Sequence, residues 1–356
     1  MKTLTITLHD TDNCGSSLQA FALQYFLKEN NIENQIINYV PSYVKNNGHP
    51  IKTFIRKIIF FKESRAREEK NQQFINQYLT LTPDKYSSYK ELEKNPPKGD
   101  IYITGSDQLW NSSYACGRDK AFYLKFADNG KKISYAMSLG KSEVPQEEVN
   151  WILSNIQDFN WISVRENSSK VLLESKGISN IAYVCDPVLL LNQDIYKKMQ
   201  KPVIRDKKYI FIYLVEKSEV LENVIRYLKK LYNYEIVFFG SYRSKCTCDV
   251  HMRDISPGEF LDLIANAQIV LSGSFHATVF SHIYHKRFVT ILPANNQARI
   301  KQFLQVTGLE RCIINQSSDI ENAFADINYD NVGATLNKFI ESSKDQLLNS
   351  LYEISR

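Results

Sequence analysis

Several features that would assign this chain of 356 residues to a class at once are missing from it. It has no apolar run long enough to cross a bilayer as a helix, which argues against a helical membrane protein. Its six cysteines are scattered, and the one close pair, Cys246 and Cys248, lacks the second pair and the histidines of a zinc site. Reduced, unpaired thiols and no bound metal are the expectation. No low-complexity stretch or short-period repeat occurs, and with a net charge of only +5 nothing resembles a nucleic-acid-binding signature. The opening MKTLTITLHD alternates like a strand and lacks the apolar core and cleavage site of a secretory signal. These absences lead us to expect a cytoplasmic protein.

What is present fits an α/β protein. A hydrophobic content of 43% and 12% aromatics suit an ordered globular chain, and the length suits two domains. Thr3 to Leu8 reads as a strand and Leu18 to Lys28 as a helix. The turn between them, HDTDNCGSS, lacks a three-glycine dinucleotide fingerprint. Asn13, Gly15 and Ser16 in that turn are candidates to meet a substrate; the alternative is that Asn13 and Ser16 cap the helix. Residues 41–98 interrupt the alternation as a basic, aromatic, helical insertion. Asp100 to Thr104 is a strand running into Gly105-Ser106-Asp107, and Trp161 to Val164 is another, ending at Arg165. Open α/β sheets bind ligands at the carboxyl ends of their strands, so Asp107 and Arg165 stand out. An ion pair of Arg165 with Glu166 or Asp186 is the competing role.

After a polar linker, 191–207, a second wound sheet opens with Tyr209 to Leu214. The stretch from Asp262 to Ile291 reads as helix, strand, tight turn, helix, strand. Its turn is Ser272-Gly273-Ser274, and its second helix starts at Phe275 and carries His276 in the first turn. Unpaired backbone N–H groups at such a helix start attract anions. The domains expected are 1–195 with its helical insertion at about 41–98, 205–330, and a terminal helix 331–356. In residues 51–67 the apolar Ile51, Phe54, Ile55, Ile58 and Ile59 form one helical stripe among basic residues, including Arg56 and Lys57. Packing on the first domain is one reading of that stripe. The other is peripheral contact with the inner face of an anionic membrane.

GSFHATVFSHIYHKRFVTI, residues 273–291, resembles the SFHG-T-x-F segment of the polysaccharide pyruvyl transferase family. Asn13-Cys14-Gly15-Ser16-Ser17-Leu18-Gln19-Ala20-Phe21-Ala22-Leu23-Gln24 is similar to the family's N-x-G-x-x-L-Q-A-x-A-L-Q. In the same order follow Gly105 to Asn111, Ile133 to Ala136, Ser163 to Glu166, and Asp186-Pro187. The resemblance implies two Rossmann-like domains facing a cleft, a glycosyltransferase-B-like architecture. It also implies transfer of the enolpyruvyl unit of phosphoenolpyruvate onto two hydroxyls of a sugar, giving a cyclic ketal in bacterial surface-polysaccharide biosynthesis. No cofactor is implied beyond that donor, and the acceptor is a glycan, carried on a lipid in one version.

On this reading His276 is the acid/base or phosphate partner, Arg165 holds the donor's anionic groups, and Asp107 contacts or activates the acceptor. Asn13, Gly15, Ser16, Gly105, Ser106, Ser274, Phe275, Lys286 and Arg299 line the substrates, with Arg287 as a further cation. His282 and His285 are less suited, one lying within the helix and one at its end. Many relatives carry arginine where this chain has Ser274, and Arg299 is the first candidate to replace that charge. Two other functions compete. A glycosyltransferase using a nucleotide sugar needs an acid on the ribose, for which Glu259 in SPGEF is placed. A non-catalytic saccharide-binding module needs no proton-transfer residue.

Overall fold

The structure is a computed structural model, and it describes residues 1–44, 61–141, 143–214, 218, 220–240, 248–294 and 297–356. Residues 51–60, which hold the apolar stripe and Arg56 and Lys57, lie outside the described residues, as does Cys246. By internal contacts the chain divides into two compact units. The first comprises Met1–Lys62, Asn71–Leu191 and Lys338–Arg356, and the second Glu63–Lys70 and Asn192–Asn337.

The first unit is built by βα alternation. Strand β1 (Lys2–Ile6) leads through the polar turn into helix α1 (Cys14–Glu29), and β2 (Glu33–Tyr39) follows. Helix α1 is buried along almost its whole length, which explains its small apolar residues and its lack of an exposed charged face. The insertion, expected to be helical, holds α2 (Phe61–Tyr78), then strand β3 (Leu81–Tyr86) and the short α3 (Tyr89–Lys94). β3 was not foreseen, because its sequence LTPDKY carries a proline and two charges. Among the described residues it pairs only with β2, at the sheet edge, where a proline's missing N–H is tolerated. Next come β4 (Ile101–Thr104), β5 (Lys131–Ser134), α4 (Gln146–Ile156), β6 (Ser163–Val164), α5 (Asn167–Ser175) and β7 (Ala182–Tyr183). The sheet is parallel, in the order β3-β2-β1-β4-β5. Bridges Ile133–Trp161 and Met137–Val164 carry its edge on toward the β6–β7 pair.

The second unit repeats the plan. The linker contains one short helix, α6 (Gln193–Lys197), before β8 (Tyr209–Tyr213), α7 (Val220–Leu231), β9 (Glu235–Phe239), β10 (Val250–Met252) and α8 (Pro257–Asn266). Then follow β11 (Ile269–Ser272), α9 (Phe275–Ile283), β12 (Arg287–Thr290), α10 (Ala298–Thr307) and α11 (Ile320–Ala323). Its sheet is also parallel, in the order β10-β9-β8-β11-β12. β8, β9 and β11 are almost continuously apolar, the pattern of strands covered on both faces.

The terminal helix α12 (Tyr329–Ile354) starts in the second unit, and its part from Lys338 onward belongs to the first. There Leu347 and Leu351 are fully buried, Phe339 packs on Tyr183 at 4.7 Å, and Ser343 Oγ accepts the backbone N–H of Cys185 at 2.9 Å. Among the described residues no helix is long and apolar enough to cross a membrane.

Candidate functional site

In each sheet the strand order reverses direction beside its first strand. Loops leave the carboxyl ends of the two strands there in opposite directions, and a crevice for ligands results. In the first unit the reversal lies between β1 and β4, and in the second between β8 and β11. Both clusters singled out in the sequence stand at these points.

In the first unit β4 runs into Gly105, whose N–H donates to Ile6 O at 2.9 Å, while Thr7 Oγ1 donates to Ser106 O at 3.1 Å. A side chain at position 105 would press on Thr7 and Thr5 at 3.1 and 3.2 Å, so glycine keeps the two strand ends close. Asp107 then adopts φ +92°, a left-handed conformation costly for a residue other than glycine. Its Oδ2 accepts Ser16 Oγ at 2.6 Å and its Oδ1 the N–H of Gln108 at 2.8 Å. Asn13 is the N-cap of α1, its side chain accepting from Gly15 N at 2.9 Å, so that residue does what the capping alternative required. Ser16 binds Asp107 instead.

Arg165 is buried, 5% exposed, and is ion-paired with Asp186; it also donates from Nη1 to Ser106 Oγ at 3.2 Å. Glu166 lies 3.7 Å from its Nε. Burial opposes the guanidinium charge, but the carboxylates of Asp186, Glu166 and Asp107 outweigh it and raise its pKa. The ion pair with Asp186, the competing role for Arg165, is therefore present. Asp186 also caps the turn Pro187–Leu189, and Glu166 accepts Ser138 Oγ at 2.5 Å.

Sequence reasoning passed over the end of β1. There His9 is buried and its pKa is lowered by that burial, while Asp10 accepts Asn71 Nδ2 at 3.1 Å. The turn HDTDN held the signal, as two charged or titratable residues directly after a strand. Asn71, on α2, lies 61 residues from Asp10 and gave none.

In the second unit β11 ends at Ser272, whose Oγ accepts the N–H of Ser274 at 2.9 Å and closes the turn. Gly273 fits between Leu214 and Ile291, where an added Cβ would come within 2.9 and 3.1 Å. Ser274 is the N-cap residue of α9, so Phe275 and His276 occupy the first turn of that helix, His276 being 3% exposed. Arg299, from α10, holds its guanidinium carbon 5.5 Å from the centre of the Phe275 ring. A cation stacked this way is held beside the helix start that carries His276.

The other cations lie elsewhere. Lys286 and Arg287 sit at the amino end of β12, the opposite edge of the sheet from His276. Lys286 Nζ donates to Ala265 O at 2.9 Å; Arg287 donates to Phe324 O, and from Nη1 to Tyr232 OH at 2.8 Å. His282 is buried deeper in α9 with its pKa pushed down to about 4 by burial and by His285. Glu259, the ribose partner of the nucleotide-sugar alternative, already has both oxygens engaged. Oε2 accepts Ser256 N at 2.6 Å in a capping box, and Oε1 meets Lys70 Nζ at 3.0 Å.

Comparison with known proteins places this geometry. No curated protein matches the chain. Among solved structures, the S. aureus protein MnaA with UDP is similar at 12% identity and a TM-score of 0.57, over 98% of each chain. The UDP-N-acetylglucosamine 2-epimerase of Rickettsia bellii gives 12% and 0.57, over 100% of this chain and 97% of that one. The spinosyn forosaminyltransferase SpnP gives 10% and 0.51, over 100% of this chain and 99% of that one. At such identities the fold alone is shared, an α/β fold of the glycosyltransferase-B-like kind. The model of the polysaccharide pyruvyl transferase family matches residues 13–295, a span that contains Asp107, Arg165 and His276. The chain belongs to the polysaccharide pyruvyl transferase family.

Proposed function

We propose that this protein transfers the enolpyruvyl group of phosphoenolpyruvate to two hydroxyls of one sugar, releasing phosphate and forming a pyruvate ketal. The observation that carries the reading is His276 in the first turn of α9, with Arg299 held on the adjacent Phe275 ring. Carbon 3 of the enol must gain a proton, and carbon 2 then takes the first sugar oxygen. Phosphate leaves from carbon 2, and the second hydroxyl closes the ketal, each hydroxyl losing its proton. A histidine suits such proton transfers because its ordinary pKa of ~6.5 lies near working pH. The start of α9 offers backbone N–H groups and Arg299 a guanidinium, which together suit a phosphate or a carboxylate. Arg299 thus takes the place of the charge that Ser274 does not provide.

The first unit's cluster suits the other substrate. Asp10, Asp107, Glu166 and Asp186 are all buried there, against one buried arginine. A surplus of carboxylates repels a trianionic donor and accepts hydrogen bonds from neutral hydroxyls. Asp107, fixed by Ser16, is assigned to the acceptor hydroxyl, and Arg165 to holding Asp186 and Ser106 in place rather than gripping phosphoenolpyruvate. Incubation with phosphoenolpyruvate and lipid-linked oligosaccharides should release phosphate and give an acid-labile ketal on the sugar. Stabilisation by nucleotide sugars but not by phosphoenolpyruvate in thermal melts, without phosphate release, would support the glycosyltransferase reading instead.

A further inference from the structure

The edge of the second sheet opposite His276 is formed by the amino ends of β8 and β9. The register pairs Tyr209 with Glu235, and Glu235 N donates to Lys208 O at 2.9 Å, so residues 204–208 and 229–234 adjoin. Two aliphatic side chains project into solvent here: Ile204 is 89% and Leu231 is 54% exposed. Around them Lys207, Lys208, Lys229 and Lys230 are all exposed. Tyr232 and Tyr234 stack on each other at 5.0 Å between the end of α7 and β9, half-buried. The acidic groups at this edge are few and mostly engaged. Glu235 is paired with Arg205, Asp249 Oδ2 lies 4.0 Å from Lys229 Nζ, and Asp206 is exposed.

We infer that this edge is a docking surface for an anionic lipid bilayer. Four exposed lysines complement phosphate headgroups, and the exposed aliphatic side chains, with the half-buried tyrosines beside them, gain by entering the interfacial layer. A soluble polyanion such as nucleic acid would use the lysines and gain nothing from Ile204 and Leu231. Residues 51–60 supply none of these observations, and the inference does not depend on the reaction proposed above. Since the strands of the sheet run from this edge to the His276 edge, docking here holds the reacting edge roughly 15 Å from the headgroups, about five residues of strand.

The test uses the full-length protein in co-sedimentation with vesicles of phosphatidylglycerol and phosphatidylcholine, against phosphatidylcholine alone. Binding to the anionic vesicles alone is expected, fading as salt is raised. Reversing the four lysines, as Lys207→Glu, Lys208→Glu, Lys229→Glu and Lys230→Glu, should weaken it by tenfold or more. Ile204→Ser with Leu231→Ser should weaken vesicle binding several-fold while leaving retention on heparin unchanged, and far-ultraviolet circular dichroism should show every variant folded. Three outcomes would overturn the inference. One is no sedimentation at low salt, and another is binding indifferent to lysine reversal. The third is loss of binding only on Arg56→Glu with Lys57→Glu, which would move the contact to residues 51–60.

Discussion

At the level of single residues, His276 and Arg165 make opposite demands on a substitution. His276 sits at a helix start, and on the proposed reaction it transfers a proton there, so His276→Ala should lower turnover by ~10²–10⁴-fold with folding intact. A phosphate-release assay checks this, and near-native turnover would remove His276 from the chemistry. Arg165 is buried among carboxylates, so removing its charge strands Asp186 and Glu166. Arg165→Met should cost about 3–5 kcal/mol in denaturant unfolding, the usual penalty for breaking a buried pair. Its affinity for phosphoenolpyruvate by calorimetry should be unchanged; a large drop in a folded variant would return Arg165 to the donor. His282 gives a pH signature. Burial, helped by His285, pushes its pKa down to about 4, while the unfolded imidazole takes a proton near 6.5. The unfolded state therefore binds the extra proton first, and stability, complete above pH ~6.5, is lost as pH falls toward 4. Urea midpoints measured from pH 7 to 4.5 should fall with that sign, and His282→Phe should flatten the slope. His9, also lowered by burial, adds to it in the same direction.

At the level of elements, the start of α8 shows how local bonding limits function. Ser256 and Glu259 cap that helix reciprocally, and Lys70 takes the remaining oxygen of Glu259. Ser256→Ala should cost about 1 kcal/mol in unfolding, as loss of an N-cap does, and should leave turnover unchanged. Lost turnover would mean that Glu259 touches a substrate. The element that carries His276 was legible in the sequence, because an apolar strand, a serine–glycine turn and a buried helix succeed one another within 25 residues. Local pattern decides such units. The network behind Asp107 was not legible. Asp186 meets Ser106 across 80 residues and Ser16 meets Asp107 across 91, and no spacing in the sequence announces such pairs. The edge strand β3 was hidden for another reason: only one of its faces and one of its sides is covered, so proline and charge are allowed in it. Asn13 was read correctly as a candidate cap, since asparagine before a helix has a local bonding reason to be there.

At the level of the molecule, one plan is used twice, with strand orders β3-β2-β1-β4-β5 and β10-β9-β8-β11-β12, and each copy carries its cluster at the same topological point. The plan is broken by Glu63–Lys70 of α2, which belongs to the second unit, and by α12, which completes the first unit from its far side in the sequence. Deleting residues 338–356 should therefore unfold the first unit while sparing the second. Scanning calorimetry should show one transition lost or shifted far down. Leu351→Ala alone should cost ~2–5 kcal/mol, as buried leucines do. An unshifted melt after the deletion would show that α12 only decorates the surface. Because a ribosome makes a chain from its amino end, the first unit's sheet is made before α12, with Asn192–Asn337 of the second unit made between them. The first unit's β7 edge and the backbone around Cys185 wait, uncovered, until α12 leaves the exit tunnel, so chaperone binding during synthesis should concentrate on the first unit's earlier segments.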